Sequence, residues 1–243
     1  MYPIICKISP FTLYSYGLML AIAFIVSSFL AVRQAKNKSL NPDIIFNLLF
    51  WVFIWGIFGA RILYIIENLQ YYLKNPAEII MLQLGGLSWF GGLLLGIMAG
   101  IFYLKKNNLP VCKTLDLVAP FLALGQAIGR IGCLLNGCCF GKASKFGIYF
   151  SSHNLVLIPT QIYSSLILVF IFIILRFLQD RPHRQGQIFL IYLLLYSVKR
   201  FFIEFWRADN PVIFSGLTLF QLFSILIFIF SVIKLFLIQK NKF

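Results

Sequence analysis

Gly125–Gly141, GQAIGRIGCLLNGCCFG, closes an apolar run that begins near residue 115. Five glycines, three cysteines, an asparagine and an arginine are crowded into it. A guanidinium at the end of a membrane span can neither shed its proton nor be solvated by lipid. It therefore requires an anionic partner. The glycines let a backbone or a ligand headgroup come close, and Asn136 offers both a donor and an acceptor. In a membrane span this is a site for a phosphate-bearing lipid.

Composition supports the span. The chain is 60% hydrophobic and 12% charged, with 27 phenylalanines and a mean hydropathy of +0.90, values that a soluble domain of this length does not tolerate. A net charge of +14 would suggest nucleic acid in a soluble protein. Here the basic residues fall between apolar segments, as cytoplasmic loop anchors do, so nucleic acid is excluded as a partner. Residues Met1 to Pro10 lack the pattern of a cleavable targeting segment, and the first span is expected to act as its own signal.

Apolar stretches of about 20 residues, enough to span a bilayer, fall near 14–32, 43–66, 87–104, 115–135, 160–178, 187–206 and 214–237. The expectation is an all-α polytopic membrane protein of about seven transmembrane helices. No long linker, soluble domain or internal repeat interrupts it, so 1–243 reads as a single membrane domain. Orientation follows from Lys and Arg. Arg33, Lys36 and Lys38, then Lys105, Lys106 and Lys113, then Arg176, Arg181 and Arg184, then Lys234, Lys240 and Lys242 mark alternate loops and the tail. That puts the N-terminus outside and the C-terminus in the cytoplasm. Three unusual segments then meet at the outer face: Leu84 to Gly92, Gly125 to Gly141, and Lys199 to Asp209.

The last of these lies in YSVKRFFIEFWRAD. On a helix Arg200 shares a face with Tyr196 and Glu204, and Arg207 lies three beyond Glu204. An ion pair there would hold a second guanidinium, with Glu204 able to accept a proton. Interfacial anchoring is the plainer reading, but Arg130 on the same face favours a functional one. In LGGLSWFGGLLLG, helix packing through small residues explains Gly92, Gly96 and Gly100. The doublets Gly85-Gly86 and Gly91-Gly92 read as an irregular start that admits a headgroup. Arg61 either pairs with Glu67 or reaches the interface. Gln161 and Tyr163 open the fifth span on the outer face.

Five cysteines in a chain of this length make no disulfide scaffold. Cys133, Cys138 and Cys139 lack paired C-x₂₋₄-C spacing with further ligands, and histidine is scarce, so no metal site is expected. Buried thiols are the plain reading. A redox or nucleophilic thiolate favoured by Arg130 is the sharper one.

The motif GRIGCLLNGCCFG resembles the signature of the prolipoprotein diacylglyceryl transferase family of bacteria. The resemblance extends to YSYGLML, GARILY, LSWFGGLLLG, PTQIY and KRFFIEFWRADNP, and so runs nearly end to end. It implies transfer of the diacylglyceryl group from phosphatidylglycerol to the lipobox cysteine of a preprolipoprotein signal peptide, giving a thioether and glycerol phosphate, with no cofactor. It implies a multi-pass protein of the bacterial plasma (inner) membrane, with the site facing the outer leaflet. Such chemistry needs cations on the departing phosphate and deprotonation of the thiol. Arg130 matches the phosphate clamp and Arg200 a second cation oriented by Glu204. Asn136, Gly137, Tyr16, Gly91, Gly92 and Arg207 would line the phosphatidylglycerol site.

Three departures bear on mechanism. Phe90 stands where many members of the family carry histidine, Cys133 replaces the signature's first asparagine, and Cys138 replaces its glutamate. The base would then be Glu204, Tyr196, a thiolate or the phosphate itself. Rival readings are a diverged relative serving another acceptor, and a non-catalytic lipid-binding membrane protein or transporter. A transporter would show repeats and midplane breaks, which this chain lacks.

Overall fold

The computed structural model describes residues 2–8, 11–81, 85–214 and 216–240. Leu84, Lys242 and the N-terminal Met1 and Pro10, each invoked above, lie outside the described residues. The helices are α1 (Ser15–Asn37), α2 (Pro42–Glu67), a short α3 (Leu69–Lys74), α4 (Trp89–Lys106), α5 (Val111–Asn136), α6 (Thr160–Gln179), α7 (Gln187–Glu204) and α8 (Leu219–Lys240). Six of them, α1, α2, α4, α5, α6 and α8, are long and apolar enough to cross a bilayer. The chain is a helical, polytopic membrane protein. α7 is set apart because Lys199, Arg200 and Glu204 fall within its 18 residues.

The structure adds three antiparallel hairpins that hydropathy does not report. They pair β1 (Ile4–Ile8) with β2 (Phe11–Tyr14), β3 (Ala143–Phe150) with β4 (Leu155–Leu157), and β5 (Val212–Phe214) with β6 (Leu217–Thr218). Each lies before or between helices, where short strands satisfy their own backbone groups.

The helices form two compact units, residues 28–111 and residues 1–27 with 112–243. The divisions fall inside α1 and at the start of α5, so no linker marks them. In the first unit α2 runs along α4. A Cβ on Gly91 would lie 2.2 Å from the Gly59 carbonyl oxygen, and one on Gly92 would lie 3.1 Å from that of Gly56. The close approach that Gly91 and Gly92 permit is thus to a neighbouring helix, inside α4, and not at an irregular start. The irregular segment is Gly85-Gly86, both at φ +81°.

Arg61 does not pair with Glu67. Buried in the same unit, it donates from Nε to Ile79 O (3.1 Å), from Nη1 to Gly85 O (2.6 Å) and Gly86 O (3.0 Å), and from Nη2 to Glu78 O (2.6 Å) and Met81 O (3.3 Å). Glu67 instead accepts from Ser88 Oγ at 3.1 Å. Five backbone carbonyls saturate this guanidinium, which ties the loop before α4 to α2.

The second unit is built on α5, whose apolar window is 44% buried against 17–28% for the other five spans. Ala119, Ala123 and Ala127, at four-residue spacing, let α5 approach Leu168, Ile171 and Leu175 of α6 and Ile188 and Tyr192 of α7. Pro120 inside α5 cannot donate to the carbonyl of Asp116. Gln179 Nε2 donates there instead, at 2.8 Å, and to Leu117 O at 3.1 Å. The Asp116 carboxylate accepts from Gly186 N (2.6 Å) and Phe189 N (2.9 Å), which caps the first turn of α7 from another helix. Asp116→Ala should orphan these two donors and destabilise the fold by about 1–3 kcal/mol per group, seen as a lowered midpoint in thermal unfolding in detergent. An unchanged midpoint would refute the cap.

Candidate active site

α5 ends on a left-handed residue, Gly137 at φ +76°. Gly137 N donates to Leu134 O and Cys138 N to Cys133 O, both at 3.1 Å, the paired bonds of a Schellman cap. That cap lays Cys138 beside Cys133. Cys139, at φ +63°, turns the chain again and brings a third thiol to the other two. The three Sγ atoms all lie within 4.8 Å of one another. A left-handed non-glycine residue is costly and persists only where its surroundings hold it. Thr160 Oγ1 donates to Cys139 O and Gln161 Nε2 to Cys138 O, each at 2.7 Å from the buried start of α6.

The next residues join the segment to the end of α7. Gly141 bridges to Arg207, and Lys142 N donates to Trp206 O at 2.8 Å. A Cβ on Gly141 would lie 2.7 Å from Trp206 O and 2.8 Å from Ile158 Cβ, so only glycine allows this approach. The N-terminal segment closes the same end: Tyr2 N donates to Leu135 O at 3.1 Å, and Met19 and Tyr16 of α1 pack over Gly132. Tyr16 lies within electrostatic reach of Arg130 and all three thiols.

Four cations gather here. Arg200 pairs with Glu204 at 3.1 Å and its guanidinium lies 4.3 Å from the centre of the Phe220 ring. Arg207 is held by both carboxylate oxygens of Asp209, at 2.8 and 2.5 Å. Glu204 is buried; its Oε1 accepts from Asn210 Nδ2 (2.5 Å) and Thr218 Oγ1 (3.0 Å), while its Oε2 faces Arg200 and has no hydrogen bond among the described residues. Arg130 is different. Half-buried, it has no hydrogen bond or ion pair to another described residue. Lys199, only 4% exposed, stacks at 4.5 Å over Tyr196 and likewise meets no carboxylate among the described residues. It feels the charges of Arg130, Arg200 and Arg207. A guanidinium that meets no carboxylate can receive an anion.

The Cys139 thiol is held below its ordinary range. The neighbouring Cys133 and Cys138 thiols that hydrogen-bond to it contribute most; burial opposes them, and the Arg207 and Arg130 guanidiniums add to the lowering. Asn136 ends α5, exposed, with its amide beside Cys138. Gly137 is buried, and its carbonyl meets a ring nitrogen of His153 at 3.2 Å. Tyr163 lines an open apolar groove of about 540 Å³ with Trp206, Ile158 and Leu166. The structure thus gathers Tyr16, Arg130, the three cysteines, Asn136, Gly137, Arg200, Glu204 and Arg207 in one unit. Gly91 and Gly92 belong to the other unit. Sequence reasoning passed over Lys199, His153, Thr160, Asn210 and Thr218. A lysine beside an arginine on a span was the available signal for the first; the others are visible only once the loops are folded.

Fold and site together define a helical integral-membrane protein with an anion-receptive end. It belongs to the family described as prolipoprotein diacylglyceryl transferase, which matches residues 3–237. A phosphatidylglycerol–prolipoprotein diacylglyceryl transferase of Clostridium tetani is 36% identical over 240 residues, covering 95% of this chain and 96% of its own. A protein of Clostridium perfringens bearing the same name with the suffix 2 is 34% identical over 237 residues, covering 95% and 92%. The Staphylococcus carnosus transferase is 33% identical over 243 residues, covering 95% and 88%.

Gly141→Val should force Trp206 and Ile158 aside and cost about 1–3 kcal/mol. Gly129→Ala, whose Cβ meets nothing within 4 Å, should leave the unfolding midpoint unchanged or slightly raised. Equal midpoints for the two variants would contradict the close approach.

Proposed function

We propose that this chain transfers the diacylglyceryl group of phosphatidylglycerol to the lipobox cysteine thiol in the signal peptide of a preprolipoprotein. The observation that carries the reading is Arg130, near the end of α5, a guanidinium with no hydrogen bond or ion pair to another described residue. A phosphodiester is the anion a lipid offers. The acceptor sulfur attacks the glyceryl carbon that bears the phosphate, a carbon–sulfur bond forms, and the carbon–oxygen bond breaks. Glycerol phosphate departs with the electron pair and takes up the thiol's proton. Cations fixed on the phosphate gain strength as negative charge develops on the leaving oxygen, which is where catalysis acts.

Arg130 is the clamp because a guanidinium can bind two phosphate oxygens at once. Arg200 and Arg207 supply positive field, each positioned by a carboxylate, Glu204 or Asp209. Tyr16, Asn136 and Gly137 border the headgroup, and the apolar groove beside Trp206 accommodates an apolar chain of donor or acceptor. The alternation of basic loops supports seven spans, α7 included, with the site open to the outer leaflet.

The test is a transfer assay with purified protein, phosphatidylglycerol and a lipobox peptide, in which thioether and glycerol phosphate are both quantified. Equal amounts of the two, and none with a Cys→Ser peptide, are expected. Absence of product from folded protein that binds phosphatidylglycerol would overturn the reading. Arg130→Lys should lower turnover at least ~100-fold, since a point charge cannot reproduce paired contacts. Lys199→Met should lower it less while keeping the fold. Near-normal turnover for Arg130→Lys would remove the clamp.

A further inference from the structure

Cys133, Cys138 and Cys139 form the one group of three potential metal ligands among the described residues. Linear spacing conceals it, because the Schellman cap and the left-handed Cys139 do the gathering. A zinc–sulfur bond of about 2.3 Å in tetrahedral geometry sets ligand sulfurs about 3.8 Å apart, so sulfurs within 4.8 Å of one another need to contract by at most about 1 Å. The backbone under them is already fixed by Thr160 and Gln161. Gln161 Oε1, buried beside the cluster, has no hydrogen-bond partner among the described residues. Cys133 is buried while Cys138 and Cys139 are half-buried, which leaves one side of the cluster open. Three protein ligands and an open fourth position are the pattern of a reactive zinc site, not of a closed structural one.

Charge and ligand chemistry agree. Thiolates alone select zinc or copper(I) over magnesium or calcium. Three thiolates around a divalent ion leave one negative charge, and Arg130 and Arg207 lie within electrostatic reach of it. Alkylation of sulfur changes no oxidation state, which suits a redox-inert ion.

We propose that Cys133, Cys138 and Cys139 bind Zn²⁺ as a three-thiolate site whose fourth position takes the acceptor thiol. The metal site stands on its own geometry; the role of the fourth position rests on the transferase reading. Coordination strips the proton from a thiol, and that proton ends on the departing glycerol phosphate. The bound sulfur keeps a lone pair for the glyceryl carbon. The thioether product is a weaker ligand than a thiolate, so it leaves.

The test begins with unmodified protein purified without chelator, whose zinc is counted by mass spectrometry and whose free thiols are counted by titration. One zinc per chain is expected, lost in Cys138→Ala and kept in Cys6→Ser with Cys112→Ser. The Co²⁺-exchanged protein should show sulfur-to-cobalt charge transfer, with visible bands that shift on adding a lipobox peptide but not its Cys→Ser form. Metal-free protein with reduced thiols that takes up neither Zn²⁺ nor Co²⁺ would overturn the site, as would a disulfide among the three cysteines. A cobalt spectrum indifferent to the peptide would overturn the fourth-position role alone. Transfer by metal-free protein would leave the transferase reading and the metal site intact and overturn the fourth-position role.

Discussion

Arg130 carries a charge that it cannot lose, in a place where no carboxylate of the described residues meets it. The rest of the site can be understood as consequences of that constraint. The other cations nearby are answered, Arg200 by Glu204 and Arg207 by Asp209, so the field at the end of α5 stays positive without two more guanidiniums in need of partners. Lys199 lies buried against Tyr196 and meets no carboxylate among the described residues. Arg61 shows the alternative fate of an arginine in this chain. Five carbonyls satisfy it, and nothing is left for a ligand.

The scaffold that holds Arg130 obeys the rule that no backbone group may be abandoned in lipid. Pro120 would abandon one in the most buried helix, and Gln179 reaches across from α6 to prevent it. Asp116 serves α7 in the same manner. These cross-helix bonds fix how α5, α6 and α7 lie together, and so where Arg130 and Lys199 stand. At the far end, Gly141 lets two loops touch, which joins the cysteine turn to the Arg207 segment.

Much of this was legible in the sequence, for physical reasons. A helix in lipid must be long and apolar, so α2, expected at 43–66, is found at Pro42–Glu67, and α6, expected at 160–178, at Thr160–Gln179. Arg130, Arg200, Glu204 and Arg207 were recognisable because ionised side chains are rare at span ends and must be accounted for. What was hidden depended on turns. No spacing rule brings residue 133 to 138 and 139; a helix cap does. Glycine doublets read alike in sequence, yet Gly85-Gly86 turns the chain at positive φ while Gly91 and Gly92 receive another helix. The hairpins escaped notice because five of their six strands have only two to five residues and leave little periodicity among apolar neighbours.

Arg130, unpaired among the described residues, is proposed to receive a lipid phosphate. Lipid retention by native mass spectrometry of protein in detergent tests it directly, with phosphatidylglycerol and diacylglycerol offered together to the unmodified chain and to Arg130→Met. Phosphatidylglycerol is expected on the unmodified protein, none on the variant, and no retained diacylglycerol on either. Phosphatidylglycerol held equally well by both would contradict it.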